Sequence, residues 1–228
     1  MERTVPSLAN FMDLGGRTTP LGHFKKGVYF RSGNLAFMDP KDLDLLYALG
    51  VRHVIDLRSQ RAKLRDHSKA LDDSRFDVHE LLIHAGESIP DDRAGNVKMY
   101  ETMFASHEEI GAILKLIVSL GPGVLIHCSA GKDRTGAICT ILLVIAGCSE
   151  EEINENYLWA YGDLDRHVAW LKTQWPNLGS FYYTPDPTLL PEVLKGLKKV
   201  YGTMDAYLKA IGLNEKDIAT IRGNMFGN

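Results

Sequence analysis

The stretch Val124-Leu125-Ile126-His127-Cys128-Ser129-Ala130-Gly131-Lys132-Asp133-Arg134-Thr135-Gly136, followed by the apolar run Ala137 to Ala146, constrains this chain more than any other. Its opening residues are β-branched or large and apolar, as a buried strand requires. The later run has helix length and is bounded by Gly136 and Gly147. The pattern predicts strand, tight loop, helix, with the chemistry in the loop.

Cys128 and Arg134 are separated by five residues, a spacing that lets a short loop curl until its backbone N–H groups face one centre, a nest for an anion. The following helix adds its orphan N–H groups and positive end, and Arg134 can lay a planar, permanently charged fork across two anion oxygens. Phosphate is the natural occupant. The Cys128 sulfur lies at the floor of the concavity, and a thiol beside a helix N-terminus and a cation can have its pKa lowered to roughly 3.5–7.5, giving a thiolate nucleophile. The bland alternative is a small buried hydrophobe at a strand end. A nucleotide-binding Walker loop is excluded, because it needs G-x-x-x-x-G-K-[ST], whereas Ile126 stands five before Gly131 and Asp133 follows Lys132.

With Gly131, Lys132-Asp133, Thr135 and both flanks in place, the loop resembles the signature of the Cys-based protein tyrosine phosphatase superfamily. His127 to Gly136 (HCSAGKDRTG) is similar to the HCxAGKDRTG loop of a bacterial branch with tyrosine, dual or triple specificity. Other segments resemble the same branch: Asn10-Phe11-Met12-Asp13-Leu14-Gly15-Gly16, Tyr29 to Gly33, Ile55 to Ser59 and the C-terminal stretch. Two positions depart from it. Met12 stands where an Arg is usual, leaving Arg31 as a nearby substitute, and Ala62 stands where a Glu is expected. The resemblance implies an α/β fold: a central, mostly parallel sheet flanked by helices, the phosphate loop between a core strand and a helix, and a helical C-terminal part.

Local signals agree. Asp39 N-caps a helix with Pro40 in its first turn and Gly50 as its stop, and Val51 to Leu57 reads as a strand. Asp56 and Arg58 at its carboxyl edge are placed near Cys128, because ligands gather at that edge of open α/β sheets. Residues 77–84 are a further strand, and 85–96 a turn-rich loop that either covers the site or only connects. Helices are predicted from Ser106 to Gly121, from the capping box Ser149/Glu152, and after Asn214. The aromatics Trp159, Tyr161, Trp170, Trp175, Phe181, Tyr182 and Tyr183 form either core or a lid. The expectation is one domain over 1–228, with a helical lid or insertion within about 150–195.

Composition narrows function by exclusion. A net charge of −3 argues against nucleic-acid binding. Cys128, Cys139 and Cys148 are too few for a disulfide framework and form no metal-type pair, so no metal and no cofactor is expected. No apolar leader or membrane-length run is readable, which together with the thiols points to the cytoplasm, although relatives in this branch are also exported without an obvious signal. Arg52, Arg58, Arg61, Lys63 and Arg65 form a basic cluster that either faces an anionic substrate or is a solvated strand end.

These parts predict two-step phosphoryl transfer through a cysteinyl-phosphate on Cys128, with the N–H groups of Ser129, Ala130, Gly131, Lys132, Asp133 and Arg134 and the Arg134 fork holding the equatorial oxygens. Three general acids are open: Asp133 first, as the branch implies; Asp56, whose other role is an ion pair with Arg134 or Arg58; and Asp91 or Asp92. Lys132 is either a selector for multiply phosphorylated or inositol head groups or a solvated surface lysine. Thr135 is assigned to the thiolate or to helix initiation, and His127 to orienting the loop. The expected partners are a phosphotyrosine protein or peptide, or a phosphoinositide head group, with inorganic phosphate as product. Phosphoserine or phosphothreonine hydrolysis, a non-catalytic phospho-ligand module and a sulfurtransferase are the competing classes.

Overall fold

The structure is a computed structural model and describes residues 5–86, 90 and 92–227. Five strands form the central sheet: β1 (Met12–Asp13), β4 (Tyr29–Ser32), β5 (His53–Asp56), β6 (Asp77–Glu80) and β7 (Val124–His127). A hairpin of β2 (Arg17–Thr19) and β3 (Gly22–Phe24) stands apart. The order is β1-β4-β7-β5-β6, parallel except for the edge strand β1. β7 is central and buried at every position, as a strand covered on both faces must be. Its side chains alternate. Val124 and Ile126 enter one core with Ile55, and Leu125 enters the other with Val54 and Phe30.

Helices α1 (Pro40–Ala48) and α2 (Gln60–Arg65) flank β5. The larger core is closed by α3 (Arg93–Ala105), α4 (His107–Leu120), α5 (Asp133–Ile145), α6 (Glu150–Trp159), α8 (Leu189–Tyr201), α9 (Met204–Ala210) and α10 (Glu215–Phe226), with α7 (Asp165–Gln174) preceding α8. Several starts follow from local chemistry. The side chains of Asp39 and Ser59 accept first-turn N–H groups, and Ser149/Glu152 and Asn214/Asp217 form reciprocal capping boxes. Among the described residues, no helix is long and apolar enough to cross a membrane.

Two expectations are corrected. The strand expected over 77–84 pairs only as far as Glu80, with Leu81 N–H donating once more to Asp56. The loop expected over 85–96 is a helix from Arg93, because Asp92 accepts from Gly95 N–H and starts α3, which buries Tyr100, Met103 and Phe104 against α5 and α8. The connecting residues Glu87, Ser88, Ile89 and Asp91 lie outside the described residues, and with them the Asp91 alternative.

The ladder registers place Ser32, His127 and Asp56 in one row. The carboxyl ends of three parallel strands therefore stop level, and the loop after β7 begins from that ledge.

Candidate active site

Four successive carbonyls of the Cys128 loop are tied to groups outside it. Cys128 O accepts from His127 Nδ1 at 3.3 Å and Ser129 O from Asn34 N–H at 3.1 Å. Ala130 O accepts from Asn10 Nδ2 at 2.8 Å and Gly131 O from Arg31 Nη2 at 2.7 Å. A trans peptide points its N–H opposite to its C=O, so the N–H groups of Ser129 through Lys132 are turned the other way, into the ring. α5 starts at Asp133 with no side-chain cap, leaving its first-turn N–H groups to the same centre. The anion nest expected from the spacing is thus built by outward traction on its carbonyls.

Gly131 makes the tight curl possible. Its φ is +70°, and an added Cβ would lie 2.5 Å from the backbone C and O of Ser32, so only glycine fits. Asn10 (φ 52°) donates to Ala160 O as well as to the loop, joining the N-terminal segment, the loop and the end of α6. Arg31 is fully buried and also donates to Asn156. Met12, paired with Arg31 across the β1–β4 ladder, accepts from Asn156 Nδ2 through its sulfur. Arg31 therefore braces the loop from the position next to the departure at Met12.

Asp56 and Arg58 form a buried ion pair. Arg58 Nη2 donates to Asp56 Oδ2 at 2.7 Å and Nε reaches both oxygens, while Nη1 donates to Asn34 Oδ1 at 2.9 Å and to Asp66 O at 2.7 Å. Burial works to raise the Asp56 pKa, but His127 and Arg58 overcome it and hold the carboxyl below its ordinary value. A fully covered, ionised carboxylate with both oxygens engaged is not placed to protonate a leaving group, so of its two expected roles the structure shows the ion pair, with Arg58 and not Arg134. The pair reaches the loop through Asn34. His127 is fully buried; burial pushes its pKa down to about 4, so it is a neutral ring that holds Cys128 O.

The residues expected to carry the chemistry lie inside this frame. Cys128 is 4% exposed at the end of β7, and Arg134 Nε donates to Ile83 O at 3.1 Å, which aims its fork. Asp133 is half-covered, and its Oδ1 accepts from Tyr100 Oη at 2.8 Å. Tyr100 is buried, and burial and then the Asp133 charge push its phenol well above the ordinary value, so it remains a proton donor. Thr135 is buried, and its hydroxyl makes no hydrogen bond among the described residues.

Lys132 corrects the solvated-lysine alternative. It is fully buried, donates to Tyr182 O at 2.7 Å, and its ammonium sits 4.0 Å from the Tyr182 ring centroid and 4.8 Å from that of Tyr161. Burial lowers its pKa and Asp133, 3.4 Å away, offsets part of that. The aromatic segment divides accordingly: Tyr161 and Tyr182 are buried against the loop, while Trp175 is 45% exposed. The basic cluster also disperses. Arg52 stacks on Tyr47, Arg58 is in the buried ion pair, and Arg65 pairs with Asp66 and stacks on Trp170. A cavity of about 260 Å³ opens beside Ser129 and Ala130, bordered by Phe37, Arg65 and Trp170.

Asn10, Asn34, Tyr100 and Tyr182 were not singled out by the sequence for these roles. Asn10 lies in a segment that resembled the phosphatase branch. Tyr100 carried no signal, because it falls between the loop read over 85–96 and the helix read from Ser106.

A profile described as the tyrosine phosphatase family matches residues 3–227. A tyrosine-protein phosphatase of Nostoc commune is 28% identical over 219 residues, covering 86% of this chain and 73% of that one. The triple specificity protein phosphatase PtpB of Mycobacterium tuberculosis is 25% identical over 286 residues, 99% of each chain. Among solved structures, TpbA of P. aeruginosa in complex with phosphotyrosine has a TM-score of 0.39 and 21% identity, over 63% of this chain and 77% of that one. With the family matched across almost its entire length and a Cys-x5-Arg nest at the end of its central strand, this chain belongs to the tyrosine phosphatase family.

Proposed function

We propose that this phosphatase hydrolyses phosphotyrosine in proteins or peptides through a cysteinyl-phosphate on Cys128. The observation that carries the reading is the outward tie on each of carbonyls 128 to 131, which supports an inward-facing N–H nest. The thiolate attacks phosphorus in line with the leaving oxygen. The equatorial oxygens are held by N–H groups of Ser129 to Arg134 and by Arg134, and positioned dipoles of this kind are the largest catalytic term. Asp133 protonates the leaving phenolate and afterwards takes a proton from the attacking water, supported by its place in the first turn of α5 and by Tyr100. Thr135 donates its otherwise unused hydroxyl toward the sulfur, and His127 and the Asp56–Arg58 pair act as supports. Residues within about 150–195 form a helical cover on a single domain, a reading supported by the clasp from Lys132 to Tyr182. Three free thiols fit a reducing cytoplasm.

The test is a variant pair assayed for orthophosphate release from phosphotyrosine, phosphoserine and phosphoinositide substrates side by side. Cys128→Ser is expected to lose turnover on the order of a million-fold while still binding phosphotyrosine peptide. Asp133→Asn is expected to lose roughly 10²–10⁴-fold on phosphotyrosine and far less on an ester with an activated leaving group. Equal losses on both esters would remove Asp133 from the acid role. Faster release from a phosphoinositide than from phosphotyrosine would move the substrate to the lipid class.

A further inference from the structure

At the outer edge of the sheet, His53 of β5 lies opposite Asp77 of β6 in the parallel ladder, and His79, two residues on, projects from the same face. The Asp77 carboxylate therefore sits between two imidazoles. Its Oδ2 is 2.8 Å from His79 Nε2 and 3.5 Å from His53 Nδ1, and the three ligand atoms lie within 4.8 Å of one another. Both histidine side chains are about three-quarters covered, 24% and 25% exposed, while Asp77 remains open at 58%. His53 Nδ1 is itself buried and makes no hydrogen bond among the described residues. A polar atom withdrawn from water and left unpaired is unfavourable, and a cation between it and the facing carboxylate would satisfy both.

From this arrangement we propose that His53, Asp77 and His79 bind a divalent transition cation of the zinc class, at a site separate from the Cys128 loop. Zinc holds imidazole nitrogen and carboxylate oxygen at about 2.0–2.2 Å in a tetrahedron, which sets neighbouring ligand atoms roughly 3.3–3.5 Å apart. The observed separations bracket that value, and side-chain torsions alone can close the difference. Two nitrogens and one oxygen suit zinc, cobalt or nickel over magnesium or calcium, and the open side takes water as fourth ligand. The ligands stand on two hydrogen-bonded strands, so the site is largely formed before the ion arrives. His53 precedes Asp56 by three residues, about 10 Å along the strand, and the ion's effect is to fasten edge strand β6. That strand leads into Ile83, whose carbonyl receives Arg134.

The experiment uses the full chain carrying Cys128→Ser, which keeps the metal off the nucleophile. ZnCl₂ is titrated by calorimetry, thermal midpoints are recorded with and without the ion, and CoCl₂ is added for optical spectra. One ion per chain with micromolar affinity is expected, with a midpoint raised by about 5 °C or more at a hundredfold excess over Kd. Cobalt is expected to give visible d–d bands without the near-ultraviolet thiolate charge-transfer band. His79→Gln and Asp77→Asn, each in the same background, are expected to weaken binding at least tenfold; His53→Gln replaces either one that does not fold. The proposal is overturned by no saturable binding below about 1 mM, by ligand variants that bind as tightly as the parent, or by a charge-transfer band that assigns the metal to Cys139 or Cys148.

Discussion

Tyr100 reaches the phosphate loop through a hydrogen bond to Asp133. Its hydroxyl donates to Asp133 Oδ1, and its ring packs edge-on against Tyr157, whose hydroxyl is 2.6 Å from that of Tyr161. Burial keeps all three phenols protonated at neutral pH. We infer a positioning role, because an acid that swings freely spends less time aimed at the leaving oxygen. Tyr100→Phe keeps the ring and removes one bond to a charged group, an interaction worth about 1.5–3 kcal/mol. The expected result is a fall in kcat on phosphotyrosine of roughly 10- to 100-fold with KM unchanged, and little effect on an ester with a good leaving group. A variant that loses activity equally on both esters would mark Tyr100 as structural only.

At the scale of elements, the junction of β4 with the Cys128 loop is a point of close backbone approach. Gly131 combines a left-handed backbone with contact against Ser32. Gly131→Ala is therefore expected to cost roughly 2–4 kcal/mol and to abolish tight binding of an oxyanion such as vanadate, measured by urea midpoint and by inhibition; a full-affinity, fully stable variant would show that the curl is not required. Much of this level was legible beforehand, since Asp39, Ser149 and Asn214 announce their helices by hydrogen-bonding chemistry local to the chain. The strand, loop and helix around Cys128 were legible from the two apolar runs and the loop residues between them. α3 was not. Its inward positions begin with Asn96 and Tyr100, polar-tipped residues whose burial is decided by α5 and α8, and Gly95 in its first turn reads as a breaker. Lys132 was misread in one alternative because its burial depends on Tyr182, fifty residues on.

For the molecule as a whole, acid is the condition that should loosen the fold. His127 has a folded pKa of about 4 against an ordinary 6.5, because burial excludes its charge. The unfolded chain takes up a proton that the folded chain refuses, so this residue's contribution is complete above about pH 6.5 and is lost as pH falls toward 4. The span corresponds to about 3 kcal/mol. Asp56, held below 3.8, adds its own loss only at still lower pH. Urea midpoints measured from about pH 7.5 to 4.5 should fall accordingly, and His127→Asn, less stable at neutral pH, should show a flatter profile; a flat profile in the parent protein would contradict the buried neutral ring. The outward ties on carbonyls 128 to 131 have a further consequence, for variation. Asn10 and Arg31 hold the nest's shape through side-chain bonds to its carbonyls, and Asn34 through its own backbone N–H. Selection on turnover therefore reaches well beyond the residues that meet a phosphate, and a chain that drifted at Asn10 or Arg31 would lose catalysis while its signature stayed intact.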